Sequence, residues 1–286
     1  MSSPELFRAL AVVCEDATPD HVRIAEAVGL PPGSRAEHTE TFILELPPYA
    51  SVHLGAEGML GGEAGDRVAG FWRAVGLMPP AEPDHLAALL GLYAALAQSD
   101  EMGHARRALL WEHVLPWVPA YLTKLSAIAP ASYAAWGDLL ADMLRAEAAA
   151  GRPDTGLPLH LREAPPPIDP EEGLDDFLAG LLAPIRSGMI ITRTDLGLAA
   201  NALGLGLRQG ERRYALKALL SQDAAATLGF LAGVADAWIE EHERSEPWLG
   251  DISRFWCSRA KITAVRLREA AATAEAATAA RIATSV

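Results

Sequence analysis

The chain has 286 residues, of which 50% are hydrophobic and 21% charged, and a formal net charge of −13. Those proportions describe a globular chain and exclude a low-complexity or disordered one. The acidic balance excludes broad attraction to nucleic acid or anionic membranes, because phosphates are repelled at long range, yet it suits a basic polypeptide partner. No stretch approaches the roughly 18 to 20 apolar residues that cross a bilayer, and the first residues lack the basic start and apolar run of a secretory signal. A cytoplasmic protein without membrane insertion is expected. Cys14 and Cys257 lie far apart with no CxxC spacing, which forms neither a metal set nor a disulfide framework and suits a reducing compartment.

Ala and Leu dominate, and β-branched residues are sparse, so the expected fold class is all-α, a multi-helix bundle of about ten helices. Ser3-Pro4-Glu5 and Thr18-Pro19-Asp20 each read as a helix start, with a capping hydroxyl, a proline in the first turn and an early acid. The second helix stops at Gly29 and Pro31-Pro32, and a third runs from Ala36 to Leu46 before Pro47-Pro48. Val68, Phe71, Trp72 and Val75 follow a Gly-rich stretch at helical spacing. A helix carrying Leu86, Leu89, Leu90, Tyr93 and Leu96 begins at Pro83, and another spans Gly103 to Ile128, kinked or split by Pro116 and Pro119. Tyr133 to Ala149 is amphipathic. Residues 151–170, rich in Pro and Gly, read as a linker between a helical domain over 1–150 and a C-terminal helical extension over 171–286. That extension carries helices at Leu174–Ile185, Thr194–Leu203, Glu211–Leu220, Ala224–His242 and Ser253–Thr273, then an Ala/Thr-rich end expected to fray.

Catalytic chemistry has no motif to stand on. GxSxG, HExxH and the phosphate loop are absent, and no His lies in i, i+4 register with another His or Cys. Neither a catalytic set nor a metal site nor a cofactor is expected, and the protein reads as a non-enzyme. Pro83-Asp84-His85 has two readings. It is either an ordinary helix start with a solvated His, or a polar hook at the edge of an apolar groove, where carboxylate and imidazole would hold a peptide. Tyr49, Trp72, Trp111 and Trp117 are likewise either core or interface aromatics, since Tyr and Trp join apolar area to a polar tip. Trp111, His113 and Trp117 sit with Pro116 and Pro119 in a stretch too polar and kinked for a plain core helix.

Four blocks in order then carry a family resemblance. They are Leu46 to Gly55, Phe71 to Leu77, Glu82 to Leu86, and His113 to Pro119 followed by the Tyr133–Leu144 helix. Together they resemble the TorD/DmsD/NarJ-type family of cytoplasmic chaperones for molybdopterin oxidoreductases. The resemblance implies an all-helical chaperone that binds the immature catalytic subunit, often through its N-terminal twin-arginine leader, and holds it for cofactor insertion and assembly. Carried over by position, Tyr49, Ser51, Trp72, Pro83, Asp84 and His85 match the peptide-binding surface, and Trp111, His113 and Trp117 match the later block. Ala50 stands where an acid is expected after the tyrosine, which removes one partner for a client arginine. The implied partner is the apo catalytic subunit, with no nucleic acid. A homodimer exchanging helices across 151–170 is compatible with the length of that connection.

Arg186 to Lys217 supplies the alternative. It holds six Lys or Arg against Asp195 and Glu211, and its two helices with a glycine between them outline a helix-turn-helix. A DNA-binding regulator would use Arg208, Arg212, Arg213 and Lys217 on phosphates. Against it stand the overall acidity, a Gly-rich turn of unusual length and a second helix, Glu211–Leu220, without Asn, Ser or Thr for base edges; a solvated or ion-paired helical hairpin, or docking onto the client enzyme, explains the same charges.

Overall fold

The computed structural model describes residues 3–151, 156–208 and 210–284. Residues 152–155 of the expected linker and 285–286 of the expected frayed end lie outside the described residues. The chain is 75% helical. Among the described residues there is no strand, and the β-type pairing is a single bridge between Tyr49 and His85. By contacts the chain divides into two units. One comprises Met1–Gly55, Met59–Glu163 and Pro247–Ile252, and the other Ala56–Gly58, Ala164–Glu246 and Ser253–Val286.

The first unit begins with α1 (Ser3–Glu15), α2 (Pro19–Ala27) and α3 (Arg35–His38). Thr18 caps α2 through its hydroxyl, and Ser34 with Glu37 closes a capping box on α3, so local side chains supply acceptors for the first amides. The chain then widens into a π-helix, Thr39–Glu45, in which Leu46 N donates to Thr41 O at 2.8 Å. Next come α4 (Ala50–Leu54), α5 (Gly62–Ala74) and α6 (Leu86–Leu96). The helix expected from Gly103 to Ile128 divides into α7 (Gly103–Ala108), a second π-helix at Leu109–Val114, and α8 (Val118–Ile128). Pro116 and Pro119 lack the amides that would have continued one ladder. The last long helix of the unit is α9 (Ala131–Ala149), followed by the short turn α10 (Leu159–Arg162).

α1 packs on α6, α2 and α9, and α8 packs on α9. Phe7 meets the Tyr93 ring edge-on at 4.7 Å, and Trp136, fully buried, donates Nε1–H to Leu10 O at 3.0 Å. α6 is apolar on nearly all sides, as its burial between α1 and the second π-helix requires.

The second unit contains α11 (Leu174–Leu182), α12 (Pro184–Ser187), α13 (Arg193–Leu203), α14 (Arg212–Gln222), most of α15 (Ala224–Leu249) and most of α16 (Asp251–Thr284). α11 packs on α12 and α14, and α14 on α13. His242 lies between the Trp238 and Trp256 rings and meets Gly188 O at 2.8 Å through Nε2. In the Ala/Thr-rich stretch α16 continues to Thr284. Ala is the best helix former, and Thr273 and Thr278 turn their hydroxyls back onto the carbonyls of Glu269 and Ala274, both at 3.0 Å.

Candidate functional site

Six of the nine expected site residues meet where α4 and α6 begin. Ala50 N donates to Asp84 O at 3.0 Å and Leu86 N to Pro48 O at 2.8 Å, which joins the two helix starts backbone to backbone. The Asp84 carboxylate, 5% exposed, accepts Ser51 N–H at 2.9 Å. It thereby caps α4 from another part of the chain and sets a negative charge at that helix's positive end. His85 caps its own helix, accepting Ala87 N–H on Nδ1 at 3.1 Å. That bond needs an unprotonated Nδ1, and burial favours the same state by lowering the imidazole pKa.

Around this junction the remaining groups fix the loop that carries Pro83. Trp72 on α5 donates Nε1–H to Pro83 O at 3.3 Å, and Tyr49 donates its hydroxyl to Glu82 at 2.9 Å. The Tyr49 and His85 rings meet edge-on at 4.7 Å. Ser51 Oγ accepts Gly61 N–H at 3.1 Å, which ties down the loop before α5. Asp84, His85 and Ser51 are buried, whereas Tyr49, Trp72 and Pro83 are partly exposed and Glu82 is exposed. The hook of the sequence reading is therefore layered: carboxylate and imidazole hold backbone, and aromatic edges with a second carboxylate reach the surface.

The other three residues do not join this cluster. Trp117, 1% exposed, stacks on His53 at 5.0 Å with its plane tilted by 10°, and donates to His113 O at 2.9 Å. Trp111, 5% exposed, donates to Gly151 O at 3.0 Å. His113 packs against Phe71 at 4.8 Å and shares a 3.3 Å Nδ1···Nε2 contact with His160 on α10. One of those imidazoles donates and the other accepts. Burial, then the neighbouring imidazole and the Arg67 guanidinium, lowers the His113 pKa to about 3. Burial, then Arg67, lowers that of His160 to about 4. Arg67 itself pairs with Glu63 and Glu163, and Leu159 N donates to Glu112 at 2.8 Å, so α10 is strapped to this face by three polar ties.

Sequence reasoning missed Glu82, His53, Arg67 and His160. Glu82 was legible only as the residue before Pro83. His160 falls in the stretch read as a linker, where nothing local announces a partner 47 positions earlier.

Comparison with known families adds the deciding observation. Residues 32–123 match the nitrate reductase delta subunit family. The match covers about a third of the chain and takes in all nine expected site residues, bearing out the family resemblance over that stretch. The delta subunit family comprises chaperones for molybdoenzyme maturation and acts on molybdoenzyme catalytic subunits; it is a maturation rather than a catalytic family. No curated protein matches the chain. Among the described residues no helix is long and apolar enough to cross a membrane, and no group of three His, Cys, Asp or Glu side chains could hold a metal ion. His160 lies beyond the segment matched to the delta subunit family.

Proposed function

We propose that the protein is a chaperone that binds the immature catalytic subunit of a molybdenum-cofactor oxidoreductase and holds it for cofactor insertion and assembly. The observation that carries this reading is the family match over 32–123, which encloses the whole junction of α4, α5 and α6. In this reading Tyr49, Trp72 and Pro83, with Glu82, touch the client. Ser51, Asp84 and His85 position them, and Trp111, His113 and Trp117 support the face from behind. Met59, Leu60 and Met78, 65%, 64% and 89% exposed, lie in the loops that flank α5 and offer apolar contact to the same client. Burying about 300 Å² of apolar surface stabilises a complex by roughly 7 kcal/mol before ordering costs. Ordering a flexible client segment takes back about 2 to 5 kcal/mol, so the affinity expected from such a patch alone is on the order of millimolar, and tighter binding requires further contacts.

The basic side chains of the helix-turn-helix alternative have partners within the fold. Arg213 and Lys217 both meet Asp175, Arg212 donates to Ile191 O at 2.8 Å, and Arg208 to the Tyr214 hydroxyl at 2.9 Å. These contacts support the hairpin reading of that segment over the DNA reading.

Affinity capture of the tagged protein from cells that express it naturally tests the proposal. The cofactor-free catalytic subunit of a molybdenum oxidoreductase is expected to accompany the wild type, and a Trp72→Ala, Glu82→Lys variant is expected to recover at least tenfold less. Turnover of a small molecule by the purified protein, or the absence of any such subunit, would overturn it.

A further inference from the structure

Three rings of the first unit meet with polar atoms that no protein group satisfies. His21 on α2 and His38 at the end of α3 lie 6.3 Å apart between ring centres, and each lies 6.0 Å from the ring of Tyr133 on α9. None of the three is more than 5% exposed. Both ring nitrogens of His21, Nε2 of His38 and the Tyr133 hydroxyl are buried without a hydrogen-bond partner in the protein. The carbonyls of Asp16 and Val13 lie near enough to His21 to favour its cation, but neither is aligned for a hydrogen bond. An imidazole nitrogen sits about 1 Å from its ring centre, so those of His21 and His38 come no closer than about 4 Å, beyond direct hydrogen bonding and within the span of a bridging molecule. The connection between α2 and α3 lies against the same cluster, since a Cβ on Gly33 would sit 2.5 Å from the Tyr133 hydroxyl.

These surroundings select an uncharged occupant. Burial lowers the pKa of both imidazoles, so they are neutral near pH 7 and offer an oxyanion no positive charge. Burial likewise keeps the phenol protonated. A metal ion would find two imidazoles and no carboxylate. Of the acids that act on these rings, Asp16 is exposed and Glu37 is held by Ser34 in the capping box. A neutral imidazole donates from one nitrogen and accepts on the other, and the phenol does both. Water donates twice and accepts twice, so it serves either tautomer of each histidine and removes the cost of burying unpaired polar atoms.

We propose that His21, His38 and Tyr133 line an internal site for ordered water, which joins α2, α3 and α9 by hydrogen bonds that the three side chains do not make with one another. The site lies wholly in the first unit and does not rest on the chaperone reading.

Tyr133→Phe, which deletes the hydroxyl and keeps the ring, tests the assignment in thermal unfolding. A water-bound hydroxyl predicts a fall in Tm of about 2 to 4 °C. An unpaired one predicts no change or a rise, and that result would overturn the proposal. In the wild type, slowly exchanging water should give nuclear Overhauser effects to the ring protons of His21 or His38, a readout that needs no variant. A crystal structure of the full chain should place water within hydrogen-bond distance of at least two of the four polar atoms. Direct bonds among the three side chains, a metal ion, or protein atoms alone at that place would equally overturn it.

Discussion

Replacing Asp84 by Ala leaves the Ser51 amide without its acceptor at the start of α4. Because the site is buried, the loss should destabilise the fold by about 1 to 3 kcal/mol, read from the urea midpoint. His85→Ala removes a cap from α6 and should cost about 1 kcal/mol, whereas His85→Ser, which keeps an acceptor, should recover most of it. An unaltered midpoint in Asp84→Ala would remove the capping role given to that carboxylate. Gly33 is constrained in another way, since a Cβ there would sit 2.5 Å from the Tyr133 ring and hydroxyl. Tyr133 is fully buried and cannot retreat, so Gly33→Ala should cost about 1 to 3 kcal/mol by the same titration.

At the scale of elements, α10 is held to the second π-helix and α5 by groups whose charge state matters. His113 and His160 are neutral in the fold, with pKa values lowered to about 3 and about 4. In the unfolded chain they titrate near 6.5. Between those limits the unfolded state binds more protons, so stability is complete above about pH 6.5 and falls as pH drops towards 4 and then 3. Each imidazole contributes up to about 1.4 kcal/mol per pH unit within the window. A His113→Gln, His160→Gln variant should therefore show a shallower loss of stability between pH 6 and pH 4.5 in urea titrations. Parallel pH profiles for variant and wild type would refute the neutral pair.

For the whole molecule, the net charge of −13 governs encounters. Association with a basic client segment should slow by at least threefold between 50 and 300 mM salt in stopped-flow measurements, because the attraction is screened. Titration with duplex DNA should give no saturable binding at physiological salt. The cations of Arg208 to Lys217 already have partners within the fold, and the chain as a whole is acidic. Salt-insensitive client association would show that apolar contact alone brings the two together.

Most helices were legible from local chemistry. Thr18 and Ser34 announce α2 and α3 because a hydroxyl beside its own helix needs no tertiary help to cap it. Leu86 to Leu96 announces α6 because a run of helix-forming Leu and Ala is sufficient. The two π-helices were not legible, since an i→i−5 bond leaves no residue signature separate from an α-helix. The alternatives at Pro83-Asp84-His85 and at the tryptophans stayed open for the same reason. Whether Asp84 faces water or the Ser51 amide depends on a segment 33 residues away. Whether Trp117 is core depends on His53 meeting its face.

By itself, then, the sequence determined the helical class, the positions of most helix starts and the order of the family's four blocks, because propensity, capping and spacing are properties of neighbouring residues. Only the tertiary structure decided that Asp84 and His85 hold backbone rather than project from it, and that His160 pairs with His113. Those outcomes depend on which distant groups arrive at the same place, and burial then fixes their charge and hydrogen bonds.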